Sequence, residues 1–299
     1  MIRIGVDFGG TKIEAAALAP DGLFLARIRA ENPGSYPAAL LVIRDLVAEV
    51  ESECGERGTV GVGAPGSICP QSGRMRNANT VWLNGQNMKE DLSRLLARSI
   101  RLANDANCLA LSEAVDGAAA GSRSVFAAIL GTGCGGGIVV DGKLLEGAHG
   151  IGGEWGHMPL THAAGEAQDW PQCWCGRKGC LEMWISGTGL ARDYLAATGT
   201  RCTGQAVIDL MRFGEPAASA AFDRLLNRLA RSLAVICNVL DPDIIVLGGG
   251  LSNVSELYPS LLSRTRAHTF GELWNGKIAA ARWGDSSGVR GAARLWQPD

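Results

Sequence analysis

The chain has 299 residues, 46% of them hydrophobic, with a formal net charge of −2 at neutral pH. That length exceeds the ~100 to 200 residues of a typical domain and predicts two, each with enough apolar material for a buried core. The charge balance gives no basic footprint for nucleic acid, and no apolar run approaches the ~18 to 20 residues that span a membrane, so neither is expected as a partner.

The chain enters its first strand directly, without the apolar core and cleavage site of a secretion signal, so the expected location is the cytoplasm. That strand, over residues 2–6, runs into Asp7-Phe8-Gly9-Gly10-Thr11-Lys12 and is followed by a second strand over 13–18 and an Asp21-Gly22 turn. Apolar residues at 40, 41, 43, 46, 47 and 50 recur at helical spacing and predict a helix over 38–54. A short strand over 60–62 then ends in Ala64-Pro65-Gly66-Ser67. Residues 100–103 lead into Asn104-Asp105-Ala106-Asn107, and an Ala- and Leu-rich helix is expected over 108–120. Asp105 therefore falls where a strand ends and a helix begins, the position at which α/β proteins hold ligands.

Residues 125–130 repeat the opening pattern. A strand ends in Gly131-Thr132-Gly133-Cys134-Gly135-Gly136-Gly137, continues as a strand over 138–140 and closes with an Asp141-Gly142 turn. One such loop alone is most simply a hairpin turn. Twice in the same frame, the bare N–H groups of two loops can grip a chain of phosphates from both sides. Neither loop has the spacing of a P-loop or of Gly-x-Gly-x-x-Gly.

Next come Gly153-Glu154-Trp155-Gly156-His157 and Cys173-Trp174-Cys175-Gly176-Arg177-Lys178-Gly179-Cys180-Leu181-Glu182. One imidazole and three thiols are the four soft donors that close a tetrahedral zinc site and leave no open position. His157, Cys173, Cys175 and Cys180 are thus expected to hold a structural Zn2+, with the carboxylates of Glu154 and Glu182 flanking it. The other six of the nine cysteines show no pairing pattern and read as reduced thiols. An apolar stripe from Phe222 to Leu240 predicts a core helix ending at Asp241-Pro242-Asp243. A strand over 244–247, the Gly248-Gly249-Gly250 turn and a helix from about Ser255 form an arrangement that holds the nucleoside or phosphate end of a ligand.

Asn79, Asn104, Glu154, His157 and Glu182 supply the short hydrogen-bonding groups that recognition of a polyol requires. Asp105, among apolar neighbours, is expected to be a partly desolvated carboxylate able to take a proton from an alcohol that attacks phosphorus.

Asp7 to Lys12, Leu102-Ala103-Asn104-Asp105-Ala106-Asn107, Gly131-Thr132-Gly133, Gly153 to His157 and Cys173 to Glu182 together resemble the ROK family of sugar kinases and sugar-responsive repressors. The resemblance covers essentially the whole chain. Within that family, residues 77–85, 112–121 and 284–293 are most similar to bacterial fructokinases of the mannokinase/fructokinase type. The resemblance implies an α/β, actin-like ATPase (ribonuclease H-like) fold with two domains around a central cleft and a small zinc-binding knot. Residues 1–118 with about 286–299 would form the smaller domain, and 119–285 the larger one with the zinc-binding loop at 157–180. It also implies ATP with Mg2+, a homodimer, and phosphoryl transfer to the 6-hydroxyl of fructose, with mannose as a further substrate. A glucokinase or an N-acetylglucosamine or N-acetylmannosamine kinase is the alternative. Carried over residue by residue, the catalytic base falls on Asp105 and the sugar contacts on Gly66, Asn79, Asn104, Glu154, His157 and Glu182. Phosphate contacts fall on Gly9, Gly10, Thr11, Lys12, Gly131, Thr132 and Gly133, adenosine packs against Gly248, Gly249 and Gly250, and Asp7 stands near magnesium through water. The loop over 161–172 carries no family signature. A sugar-sensing regulator would carry a DNA-binding helix-turn-helix ahead of the first strand, where the sequence has only Met1, so an enzyme is expected.

Overall fold

The computed structural model describes residues 1–160 and 170–296. The chain divides into two compact units, one of Met1–Gly121, Gly137–Gly153 and Arg282–Asp299, the other of Ser122–Gly136 and Glu154–Ala281. This differs from the expected boundaries in returning 137–153 to the first unit. Gly137 lies against helix backbone of that unit, where a Cβ would sit 2.4 Å from the Ala106 carbonyl oxygen. Most of the loop over 161–172 lies outside the described residues.

The first unit runs β1 (Arg3–Phe8), β2 (Lys12–Leu18), β3 (Phe24–Glu31), α1 (Tyr36–Cys54), β4 (Thr59–Ala64), the small hairpin β5 (Ser67–Ile68) and β6 (Met75–Arg76), α2 (Met88–Leu95), β7 (Ile100–Asn104) and α3 (Asp105–Asp116). Helix α1 buries Ala39, Ile43, Leu46, Val47 and Val50 at three- and four-residue spacing and stops at Gly55, whose φ of 64° satisfies a left-handed cap. The sheet order is β3-β2-β1-β4-β7. β1 pairs antiparallel with β2 but parallel with β4, and β4 parallel with β7, so the carboxyl ends of β1, β4 and β7 finish side by side.

After α3 the chain continues through β8 (Ser124–Leu130), β9 (Cys134–Val140) and β10 (Lys143–Leu144) to α4 (Glu182–Ile185), α5 (Gly187–Thr198), α6 (Gly204–Arg212), α7 (Pro216–Leu240), β11 (Ile244–Gly248), α8 (Tyr258–Arg266) and β12 (Lys277–Ala280). The chain passes from the second unit to the first within β9, and β10 belongs to the first unit. The second sheet has the order β10-β9-β8-β11-β12. In both sheets the third, second, first, fourth and fifth strands therefore stand in that sequence, which is the internal repeat expected from the two glycine loops.

The last helix, α9 (Ser287–Arg294), returns to the first unit. It packs so closely that a Cβ on Gly5 or on Gly61 would lie 1.9 Å from the Val289 or Ala292 carbonyl oxygen, and one on Gly291 1.8 Å from that of Cys108. Only glycine permits that approach. The fully buried Glu113 carboxylate holds the approach to α9 by accepting from Ala118 N–H (2.8 Å), Arg282 N–H (2.9 Å), Trp283 N–H (3.1 Å) and the Ser287 hydroxyl (2.9 Å). Asp116 takes Arg290 at 2.6 Å and also Arg294. The segments 112–121 and 284–293 are thus one buried polar network.

Three boundaries differ from expectation. Residues 134–137 belong to β9, so the second glycine turn is only Gly131-Thr132-Gly133. Helix α3 covers Asp105–Asp116 rather than 108–120, and α8 begins at Tyr258 after two single 3-10 turns. Among the described residues no helix is long and apolar enough to cross a membrane.

Candidate active site

At the joint carboxyl ends of β1, β4 and β7 the first unit gathers several of the expected residues. Asn104 is the N-cap of α3, its side chain accepting from Ala106 N–H at 2.8 Å while its amide donates to the Gly66 carbonyl at 2.9 Å. Asp105 follows as the first helical residue, and its Oδ1 also accepts from Ala106 N–H at 2.8 Å. Gly66 has φ +84°, and a Cβ there would lie 2.5 Å from the Arg76 carbonyl oxygen, so the turn after β4 is seated on the strand that leads to Asn77, Ala78 and Asn79. Asn84, which sequence reasoning missed, pins that stretch through both Ala78 backbone groups (2.9 and 3.0 Å). Asn79 itself is exposed.

The Asp105 side chain is exposed rather than desolvated. The carboxylate under strain is Asp7, pushed up to about 7 by burial, then by repulsion from Asp105 and Glu14, with Arg29 offsetting part of the effect. A carboxyl held near neutral pH by burial and then by neighbouring negative charge gains from a bound cation, which is compatible with a magnesium-bearing nucleotide. The first glycine loop, Gly9 to Lys12, joins β1 to β2, with Gly10, Thr11 and Lys12 exposed. Asn32, another residue not foreseen, anchors it by donating its side-chain amide to the Gly9 carbonyl at 2.8 Å and its backbone N–H to that of Thr11 at 2.9 Å.

The second unit contains a cavity of about 850 Å³ walled by Gly131, Thr132, Thr188, Arg192, Thr203 and Gly250 among others. It brings the second and third glycine clusters together. Gly249, at φ +80°, lies so close to β8 that a Cβ would sit 2.7 Å from the Leu130 carbonyl oxygen. Gly187 N–H donates to the Gly131 carbonyl at 2.8 Å and the Thr188 hydroxyl to that of Thr132, also at 2.8 Å, which ties the glycine turn to the start of α5. Gly248 ends β11 and is buried. The walls contributed by α5 and α6 were not foreseen, although Ser186 before Gly187-Thr188-Gly189 and Thr203 before Gly204 are the N-cap signals of those helices.

In the same unit the ligand atoms of His157, Cys173, Cys175 and Cys180 all lie within 4.8 Å of one another. Cys175 and Cys180 sulfurs are 3.5 Å apart, and Cys173 Sγ is 3.6 Å from His157 Nδ1. Tetrahedral zinc with bonds of about 2.3 Å to sulfur puts thiolates about 3.8 Å apart, so the donor set and spacing fit such an ion. Burial alone would raise the Cys175 thiol, but donors on Arg177 and the other two thiols bring it down to about 6, a thiolate at neutral pH. Burial, above all, pushes the Cys173 thiol up. Gly176 and Gly179, at φ +88° and +76°, make the turns that fold Cys180 back onto Cys175. The buried Glu182 accepts from Cys173 Sγ at 3.0 Å and stands 3.8 Å from His157 Nδ1. Its other oxygen accepts from Cys134 N–H at 3.4 Å, beside Gly133. The knot thus fixes a carboxylate against the second glycine turn. Glu154 directly precedes the 3-10 turn Trp155–His157.

Comparison with known proteins identifies the family of the chain. A model of the ROK family matches residues 3–299. The chain is 39% identical over 294 residues to N-acetylgalactosamine kinase AgaK of Shewanella sp. (strain ANA-3), covering 97% of this chain and 95% of that one. It is 40% identical over 296 residues to the N-acetyl-D-glucosamine kinase of Yersinia pseudotuberculosis, covering 97% of each. The crystal structure of a ROK family glucokinase from Streptomyces griseus in complex with glucose and AMPPNP matches at a TM-score of 0.80 and 28% identity, covering 99% of both chains. The two sequence relatives bear N-acetylhexosamine names, whereas three segments of the sequence had pointed to fructokinases.

Proposed function

The chain belongs to the ROK family, and from that premise we propose that it is an ATP-dependent kinase that phosphorylates the 6-hydroxyl of a hexose, with N-acetylhexosamines preferred over fructose and mannose. The catalytic part of this reading rests on the placement of Asp105, exposed at the first turn of α3 and set by an N-cap, Asn104, that is itself bonded to Gly66. The sugar preference rests on the two N-acetylhexosamine kinases to which the chain is similar.

In this mechanism Asn104, Gly66, Asn79, Glu154, His157 and Glu182 bind the sugar hydroxyls. His157, with Cys173, Cys175 and Cys180, would hold a structural zinc ion, which would fix the orientation of the imidazole. Asp105 accepts the proton of the primary hydroxyl as the hydroxyl oxygen attacks the γ-phosphorus of ATP, the bond from that phosphorus to the β–γ bridging oxygen breaks, and ADP leaves. Lys12 and the N–H groups of Gly9, Gly10, Thr11, Gly131, Thr132 and Gly133 stabilise the charge that spreads over the phosphates. The adenosine packs beside Gly250 in the second unit's cavity. Asp7 would stand near a magnesium ion bound with ATP, which would supply neutralisation of the phosphate charge.

ADP release measured with a panel of hexoses at equal concentration tests both levels of the reading. N-acetylglucosamine or N-acetylgalactosamine should exceed fructose, mannose and glucose by at least about tenfold in kcat/KM, a difference worth about 1.4 kcal/mol. A profile led by fructose would remove the preference but leave a sugar kinase. Release no faster with any hexose than without one would remove the kinase reading altogether.

A further inference from the structure

The first unit contains a second cavity, of about 420 Å³, that the proposed reaction does not use. Its polar lining comes from four elements and is strongly cationic. Lys89 stands on α2, Arg101 on β7, Lys143 on β10 and Arg294 on α9, against one acid, Glu146. Asp116 takes the charge of Arg294. Three cations then face one carboxylate, and among the described residues the ammonium groups of Lys89 and Lys143 have no hydrogen-bond or ion-pair partner.

The arginines are held ready. Arg101 lies with its guanidinium 4.4 Å over the Trp296 ring and donates through Nη1 to the Leu295 carbonyl, which fixes the plane and leaves its remaining donors unused among the described residues. Arg294 is 6% exposed, and its Nε has no hydrogen-bond partner among the described residues. A buried, unpaired guanidinium nitrogen costs free energy that a bound anion would recover. The floor consists of four leucines, among them Leu102.

We propose that this cavity binds a small phosphate monoester. A planar guanidinium and nearby ammonium groups match a compact dianion, with the arginine able to bond two oxygens at once. The volume lies in the range of small-ligand sites and is far larger than inorganic phosphate needs, so an organic body occupies the rest, over the leucine floor and within reach of Glu146 as an acceptor for hydroxyls. The site also has a structural route to the reaction. Lys89, Leu102 and Glu146 additionally wall an adjoining pocket of about 230 Å³ that contains Asn104, two residues along β7 from Leu102.

The chemistry is met by the phosphosugar that the proposed reaction makes and by unrelated organophosphates. Equilibrium binding, measured by calorimetry on the whole protein without ATP, distinguishes them with three probes: N-acetylglucosamine 6-phosphate, glycerol 3-phosphate and inorganic phosphate. At least one ester should bind, and more tightly than inorganic phosphate. Lys143→Glu, at an exposed position, should weaken that binding by at least about tenfold, the loss of one charge-assisted contact. Lys143→Arg should restore it to within about threefold, and both variants should turn over hexose at the wild-type rate when no ester is present. Absence of ester binding overturns the proposal. So does ester binding of equal strength in wild type and Lys143→Glu, or binding that is displaced by acceptor sugar alone. None of these outcomes depends on which hexose is the substrate, so failure here is separate from failure of the kinase reading.

Discussion

The two sheets share one strand order and place a glycine turn between their first and second strands, yet the positions that correspond carry different chemistry. In the first sheet the residue before the final one of the leading strand is Asp7, and the fifth strand ends at Asn104 with Asp105 beyond it. In the second sheet the residue matching Asp7 is Ile129. There the fourth strand, not the fifth, delivers the ligand-facing turn, at Gly248 to Gly250. The repeated frame thus serves to bring bare backbone to two places, while the side chains at the strand ends divide the labour. The acids at the strand ends, Asp7 and Asp105, stand on one copy. The other copy keeps glycine, threonine and a roomy cavity, and adds a metal-binding knot.

That division can be broken experimentally. Asp105→Asn should lower kcat by about 10³-fold, within the range expected for loss of a general base, while leaving the affinity for ATP unchanged in direct binding measurements. A comparable loss of nucleotide affinity would show that the acid side also holds the nucleotide. Cys175→Ser in the second unit should release about one zinc per chain, read by metal analysis, and lower stability by several kcal/mol. If the wild type contains no zinc, the fit of the four ligands has no counterpart in solution. Asp7→Asn sharpens the contrast with Ile129. Because the folded-state value near 7 lies above the ordinary 3.8, ionised Asp7 is a cost to the folded protein, absent below about pH 4 and complete above about pH 7. The variant should therefore match wild type near pH 3.5 and unfold at higher denaturant at pH 8, by about 2 to 4 kcal/mol, in the absence of nucleotide and metal. Equal stability at both pH values would refute the buried-charge account.

Most strands were readable from the sequence because each is a short apolar run stopped by Gly, Asn or Asp, and the repeat was readable because the same stop signs occur twice. The metal ligands were readable for a different reason. Three thiols and an imidazole separated by glycine turns have few other uses, and the geometry around Cys175 fits that expectation. What could not be read concerns close approach across the chain. Gly135, Gly136 and Gly137 looked like a loop, but they lie in β9, and at Gly137 the missing side chain makes room for α3. The return of 137–153 to the first unit was hidden because the crossing happens in the middle of a strand, without any linker composition to mark it. Thr188 and Arg192 escaped notice because a capped helix start looks the same whether it faces solvent or a cavity. Glu113 escaped because its four partners are mostly backbone groups, some of them about 170 residues away, and no local pattern records that.

The wedging of α9 between strand glycines and α3 bears on how the molecule assembles during synthesis. Gly5 and Gly61 meet backbone from Val289 and Ala292, among the last described residues to leave the ribosome. The second unit's segments, up to Ala281, have all been made by then. The opening half of the chain must therefore wait, with one face of its sheet uncovered, until residues 287–294 have been made.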